Sequence, residues 1–425
     1  MPLCLYIKWC RYGTDGQAHI VESLKSHAVI CPALRLATGR TLLRLLVIGA
    51  GMMGAAAAYD MARTPAVEAV TLADSDLRRA KDAAGRVNKL TRSKKVTPKH
   101  LDASRESDAA KLMRGHDAAL SAVPYFFNAG LARAAIKAGC HFADLGGNNI
   151  VVRQELTMDR QAAKRGVALA PDCGLSPGMA SILAGELMRR IGGRADALKL
   201  YVGGLPQHPK PPFNYQLVFS VEGLINEYSE PARILRKGKL TTIEPLSELE
   251  EFHLEGFPPL EAFHTSGGTS TLPETFAGKV GECFEKTLRY RGHLALILGL
   301  YDLGMFSSKK KRFGRTEIAP RTVIARLFEE KFAGDDPDVV ILRVEAHAGA
   351  RVASFTCVDR FDPTTGMTAM MRTTAWPASV VVQMLASGKI TKRGAVRSEL
   401  DIPAGAFLQA MADREVRIEY ASRES

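Results

Sequence analysis

The sequence predicts an α/β protein: a doubly wound parallel sheet with a second, α+β domain built onto it. Three observations carry that prediction. An all-apolar run, Leu45–Ile48, leads directly into Gly49-Ala50-Gly51-Met52-Met53-Gly54 and then into an alanine-rich, helix-forming stretch. From Leu43 to Pro171, short β-rich runs alternate with helix-length segments, the pattern of a parallel sheet covered by helices on both faces. Beyond about residue 191 the alternation gives way to a strand-dominated stretch, which marks a second domain.

The apolar run Leu45–Ile48 of the first strand suits a strand buried on both faces. Each glycine of the loop after it has its own task. Gly49 permits the tight turn, Gly51 lets the backbone approach a pyrophosphate, and Gly54 lets the helix lie close to the strand. The helix start, at Met52 and Met53, offers unpaired N–H groups to phosphates. Strand, loop and helix together are the context this motif requires, so residues 49–54 are read as a Rossmann-type dinucleotide site. The helix runs to about Arg63. Val67–Ala73 is the second strand and ends at Asp74, where an acid accepts from the adenosine ribose hydroxyls and repels a 2′-phosphate. Asp74 therefore predicts NAD over NADP. Arg78 and Arg79 work against that preference, and a helix N-cap is the competing role, for which Asp76 is also placed.

Val96–Ser104 reads as a third strand, with a helix from about Glu106 to Arg114. Asp117–Pro124 is a fourth strand and turn, which sets Ala122, Val123 and Pro124 beside the cofactor at the carboxyl edge of the sheet. Phe127–Ala138 is helical. His141–Asn148 forms a fifth strand and glycine turn, Glu155–Arg165 a helix, and Val167–Pro171 a sixth strand opening onto Asp172–Gly178.

In the second domain Ser181–Ile191 is an amphipathic helix. Strands are expected at Ala197–Gly203, Tyr215–Ser220, Val339–Ala348 and Arg351–Arg360, the last two forming a hairpin around Gly349. Pro206, Pro209, Pro211 and Pro212 stiffen the loop between the first two. A helix from Ala375 to Ala386, starting beside Pro377, and another over 404–414 are read as returning to the nucleotide domain. The expected division is 43–173 with 373–425 for that domain and 174–372 for a substrate domain. Residues 1–42 show no sustained period and no convincing amphipathic helix; they are read as a disordered extension outside the fold.

A hydrophobic fraction of 46% and a charged fraction of 24% describe an ordinary globular chain. The net charge is +12, which favours an anionic cofactor. The basic run Lys309–Arg312, with Arg315, lacks aromatic interleaving and is read as a solvated loop, with no nucleic-acid partner. No stretch approaches the ~20 apolar residues of a membrane span; Leu294–Phe306 is too short and contains Asp302, so no membrane partner is expected. The seven cysteines form no C-x-x-C pair and no zinc spacing, which points to reduced thiols, a cytoplasmic protein and no catalytic metal. Cys173 has nothing beside it in sequence to activate it and is read as a buried thiol.

The glycine loop, Ser121-Ala122-Val123-Pro124-Tyr125, Asp144-Leu145-Gly146-Gly147 and Gly174-Leu175-Ser176-Pro177-Gly178 together resemble the saccharopine dehydrogenase superfamily, and within it the lysine 6-dehydrogenases. The segments Phe219–Tyr228, Val358–Asp362 and Met371–Pro377 add to the resemblance. It implies a nucleotide domain, a substrate domain whose sheet mediates a homodimer, and an NAD-linked reaction at a lysine-derived C–N bond. It also implies substrate contacts near the strand ends and within the second domain. One departure bears on the substrate. Members that form or cleave saccharopine tend to carry G-L-D-P-G at the third turn, whereas this chain has Ser176 there. Lysine 6-dehydrogenases tend to have a small residue, so the resemblance favours L-lysine.

Oxidative deamination of lysine requires a proton to leave an ammonium of pKa about 10.4, and water to attack an iminium. Desolvation beside a positive nicotinamide lowers that value, which makes an auxiliary base optional. His264 is the first candidate for such a base, because the loop Phe263–Thr271 is rich in hydroxyls and glycines. A surface-loop histidine is the alternative. Tyr125 follows the fourth-strand turn and either lines the site or packs beneath the turn. Asp144 and Asp172 end strands on the cofactor side and either hold the lysine amines or cap turns. Thr265 and Phe219 are further substrate candidates. Glu222 and Glu227 share one helix, with substrate contact and helix surface both open. Saccharopine or a carboxylated polyamine is the alternative substrate, and a non-catalytic NAD(H)-binding sensor the alternative role.

Overall fold

The computed structural model describes residues 42–424 and two short paired strands, Cys10–Tyr12 and Ala18–Ile20. Apart from those strands, the expectation of a disordered extension over residues 1–42 falls outside the described residues.

The first domain contains β1 (Leu43–Ile48), α1 (Met52–Arg63), β2 (Val67–Asp74), α2 (Leu77–Thr91), β3 (Val96–His100), α3 (Glu106–Met113) and β4 (Ala118–Ser121). A single 3₁₀ turn (Tyr125–Phe127), α4 (Asn128–Ala138), β5 (His141–Asp144), α5 (Asn149–Thr157), α6 (Asp159–Lys164) and β6 (Ala168–Ala170) complete it. The strands are parallel and lie in the order β3-β2-β1-β4-β5-β6. Leu45 and Val47 enter the core under α1 and α2, whereas Leu46 and Ile48 enter the core under α3 and α4. That division explains why the run has no polar alternation. β3 stops at His100 rather than Ser104. It is an edge strand, which tolerates Pro98, and the Asp102 carboxylate then takes the Ser104 amide into a turn.

The second domain begins with α7 (Met179–Arg190), β7 (Ala195–Pro206), α8 (Val221–Ser229), β8 (Ala232–Arg236), β9 (Lys239–Ile243), β10 (Glu250–Phe252) and β11 (Leu260–His264). It continues through α9 (Leu272–Phe276), β12 (Val280–Tyr290), α10 (His293–Asp302), α11 (Pro320–Phe332), β13 (Asp338–Ala348) and β14 (Arg351–Arg360). The closing segment holds α12 (Ala369–Ala386), β15 (Gly394–Ala395), α13 (Ser398–Asp401), α14 (Ala404–Ala412) and β16 (Ile418–Glu424). The second sheet has nine strands, ordered β9-β8-β12-β7-β13-β14-β16, with β10 and β11 joined through β12. The β7–β12 pairing is parallel; the others are antiparallel.

Three expectations differ from what forms. Tyr215–Ser220 is an irregular segment that buries Tyr215 and Val218, not a strand. Tyr215 packs against His293 and Phe332, and the Leu217 amide donates to the Phe332 carbonyl, so its apolar residues serve a helix cluster. α12 starts at Ala369 under a Thr368 cap, which places Pro377 inside the helix. Residues 373–425 divide between the domains. α12 packs on α1, with Trp376 stacked on Tyr59 at 6.5 Å, and β15 extends the first sheet beside β6. β16 instead closes the edge of the second sheet on β14.

Candidate active site

The strand order reverses between β1 and β4, and ligands of open parallel sheets sit at the carboxyl edge of that reversal. Gly49 has a φ of +105°, and a Cβ there would stand 2.6 Å from the Ala122 carbonyl oxygen. Glycine thus lets the turn after β4 close over the loop after β1, and Val123 lies at the same contact. A Cβ on Gly54 would stand 1.8 Å from the Gly49 carbonyl oxygen, which fixes glycine at the helix–loop crossing. Gly51 is different: a Cβ there meets nothing. The space beside it is open, and no side chain caps α1, whose first turn begins at Met52 and Met53. An open, uncapped helix start fits a pyrophosphate.

Asp74 is buried at the end of β2. One carboxylate oxygen accepts the Ala50 amide at 2.7 Å and the other the Asp76 amide at 2.8 Å. The N-cap of α2 is Asp76, which frees Asp74 from that role. Asp74 therefore ties the second strand to the glycine loop, and Arg79 stands 3.9 Å from it.

Beyond the glycine loop, the ends of β5 and β6 carry a knot of buried acids. An Asp144 oxygen accepts the Gly146 amide at 2.7 Å and the Asp172 amide at 3.2 Å. Its other oxygen, both oxygens of Glu155 and one of Asp172 are buried without partners. Burial pushes Asp144 up to about 6. Burial, and then the Asp144 charge, drive Glu155 well above the usual carboxylate range. Burial, and then Asp144, push Asp172 up to about 7. Asp172 holds a φ of +57°, and its carboxylate accepts the Ser270 hydroxyl from the second domain. Tyr125 lies against Gly147 of the adjoining turn. Asp144, Asp172, Tyr125 and Pro124 are thus brought together. Cys173 is buried there, and burial among these acids raises its thiol far above the reactive range.

The second domain meets this edge through residues 265–271. The Ser176 hydroxyl donates to the Gly268 carbonyl at 3.2 Å. Thr271 and Thr275 donate to the buried Glu399 carboxylate at 2.8 and 2.5 Å. Thr265 shares a hydrogen bond with Thr287 at 2.7 Å and donates to Glu285 at 3.3 Å. Phe219 packs beside the first turn of α8, with its ring edge against Gly223.

His264 is not among these groups. Phe263 pairs with Thr287 and His264 with Lys286, so His264 points to the opposite face of the sheet. Its Nδ1 meets the Glu285 carbonyl at 3.1 Å and its Nε2 meets Glu248 at 3.3 Å. Burial, and then the Lys286 charge, hold its pKa below the usual histidine range. The face that the sequence reading missed is carried by β12: Glu285, Thr287 and Arg289 point the same way and are all buried. Arg289 donates to the Tyr228 hydroxyl on α8 at 3.0 Å and stands 3.9 Å from Glu227. A run of polar residues at every second position of β12 is the signal that marks this face. Glu222 instead faces outward and pairs with Arg321.

Residues 45–169 match the saccharopine dehydrogenase NADP binding domain, and residues 174–416 match the saccharopine dehydrogenase C-terminal domain. The chain belongs to the saccharopine dehydrogenase family. Curated members of the family include the mitochondrial alpha-aminoadipic semialdehyde synthase of Mus musculus, 23% identical over 66% of this chain and 30% of that one. The saccharopine dehydrogenase [NADP(+), L-glutamate-forming] of Schizosaccharomyces pombe is 25% identical over 53% of this chain and 51% of that one. This chain therefore spans between about a third and a half of these relatives. The apo saccharopine dehydrogenase (L-Glu forming) of Saccharomyces cerevisiae shares the fold, with a TM-score of 0.72 and 19% identity over 90% of this chain and all of that one. The family assignment makes the first domain an NAD(P)-binding domain, in keeping with the open cradle at Gly51.

Proposed function

We propose that this protein is an NAD-dependent dehydrogenase that removes the ε-amine of L-lysine. The observation that carries the reading is the sign of the site. Asp144 and Asp172 lie at the sheet edge that the 265–271 loop meets, and Glu285 and Glu227 lie on the other side of that loop with the buried cation Arg289. Such a surface favours a substrate with two ammonium groups and one carboxylate, and disfavours the extra carboxylates of saccharopine. Ser176 supports it, since its hydroxyl holds the Gly268 carbonyl where an aspartate would add another negative charge. Asp74 supports NAD, because a buried carboxylate at the end of β2 repels a 2′-phosphate.

A bound nicotinamide dinucleotide supplies the acceptor for the hydride that leaves Cε. The chain's own residues hold the ammonium, exclude bulk water and take up the proton released. The net change is lysine, oxidised cofactor and water giving the ε-aldehyde, ammonium, reduced cofactor and a proton; the aldehyde then cyclises onto the α-amine. Oxidation of saccharopine is the second reading, and the names of the relatives favour it. Steady-state assays with L-lysine and saccharopine, each with NAD and NADP, separate the two. Reduced cofactor formed from lysine and NAD supports the first reading; turnover of saccharopine alone refutes it.

A further inference from the structure

Resting on that reading, the geometry points to Glu285 as the group that receives the ε-ammonium of the substrate and takes its proton. Glu285 lies midway along β12, on the face turned toward α8 and the 265–271 loop, and is 4% exposed. Among the described residues no Lys, Arg or His side chain pairs with its carboxylate. Among the described residues the carboxylate's hydrogen-bond partners are the hydroxyls of Thr265 at 3.3 Å and Thr287 at 3.5 Å, both at the long end of the range. A buried carboxylate held this loosely lacks a strong donor, and a primary ammonium supplies three. Gly268 lies directly over it: a Cβ there would come within 2.8 Å of the carboxyl group. Gly268 is itself held by the Ser176 hydroxyl, so the turn after β6 sets the approach to Glu285. The charged groups that bear on Glu285 are Glu227 from α8, which raises its pKa, and Arg289 on its own strand, which lowers it. Burial comes first among the causes and brings the group up to about 8. In the step, one N–H bond of the ammonium breaks and one O–H bond on Glu285 forms, leaving a neutral amine whose lone pair assists loss of hydride from Cε.

The test compares wild type with Glu285→Gln, Glu285→Asp and Thr265→Val. It measures kcat/KM for L-lysine against pH and, separately, lysine binding to the protein by calorimetry. In wild type kcat/KM should rise with pH through about 8, as the base ionises. Glu285→Gln should lower it about a hundredfold or more, abolish that limb and weaken lysine binding about tenfold. Glu285→Asp should restore part of the rate. Thr265→Val should move the limb upward, because the hydroxyl that lowers the Glu285 pKa is gone. If wild type oxidises lysine and these variants keep both its rate and its pH limb, Glu285 is not the base and the lysine reading stands. If wild type neither binds nor oxidises a primary amine, both fall.

Discussion

At the scale of single residues, the buried carboxyls at the ends of β5 and β6 make the clearest physical demand. Asp144 and Asp172 have folded-state pKa values raised to about 6 and about 7, chiefly by burial. The folded chain therefore keeps protons that the unfolded chain releases from about pH 4 upward. The contribution of these two carboxyls to stability should fall as pH rises from about 4 to 7 and then level off, a sign opposite to that of a salt-bridged carboxylate. Glu155→Gln removes a carboxyl that burial, and then the Asp144 charge, drive well above its usual range, and should make the decline shallower between urea denaturation at pH 5 and at pH 8. A decline as steep as in wild type would show that Glu155 takes no part. His264 makes the opposite case. Its composition-rich loop drew attention in the sequence, yet period-two alternation turns it away from Thr265 and Glu285. His264→Gln should cost about 1–3 kcal/mol through the bonds to Glu248 and Glu285, while leaving the pH dependence of turnover unchanged. Loss of the limb near pH 8 would return His264 to the mechanism.

At the scale of elements, the three loop glycines separate a ligand's requirement from the fold's. Gly54→Ala brings a Cβ to 1.8 Å from the Gly49 carbonyl, so α1 must shift and stability must drop. Gly51→Ala meets nothing in the protein. It should leave the melting temperature within a few degrees of wild type and weaken dinucleotide binding, which fluorescence titration with the reduced cofactor measures. A Gly51→Ala variant that binds as tightly as wild type would place the pyrophosphate elsewhere. The parallel strands were legible because most are short apolar runs between helix-length segments. β8 to β12 were not legible. The pairs that bring them into the sheet join residues far apart in sequence, such as Leu235 with Cys283 and Ala195 with Val280. Their polar faces also look outward even where they are buried, as with Glu285, Thr287 and Arg289.

At the scale of the whole molecule, the 265–275 segment is held by polar contacts that no local pattern announces. Ser270 meets Asp172, Ser176 meets Gly268, and Thr271 and Thr275 meet Glu399, each across a long sequence separation. Asp144, Asp172 and Thr265 were legible as strand-end or loop polar residues, whereas nothing in the sequence singles out Glu155, Glu285 and Glu399, whose burial depends on distant parts of the chain. The same holds for Asp60, which lies mid-helix in α1 yet is fully buried. It receives Arg414, beyond α14, at 2.8 Å, Gln383 of α12 at 3.4 Å and its neighbour Arg63 at 3.0 Å. One carboxylate thus pins the glycine-loop helix to both closing helices. Removing the partner of a buried charge is costly, whereas removing both charges is much less so. Arg414→Met should therefore destabilise the protein by about 3 kcal/mol, and adding Asp60→Asn should recover much of that loss. Denaturation followed through the buried Trp376, which stacks on the same helix, reports the change where it occurs. Equal destabilisation by the single and double variants would mean that Arg414 acts through its packing on α14 and not through the charge on Asp60.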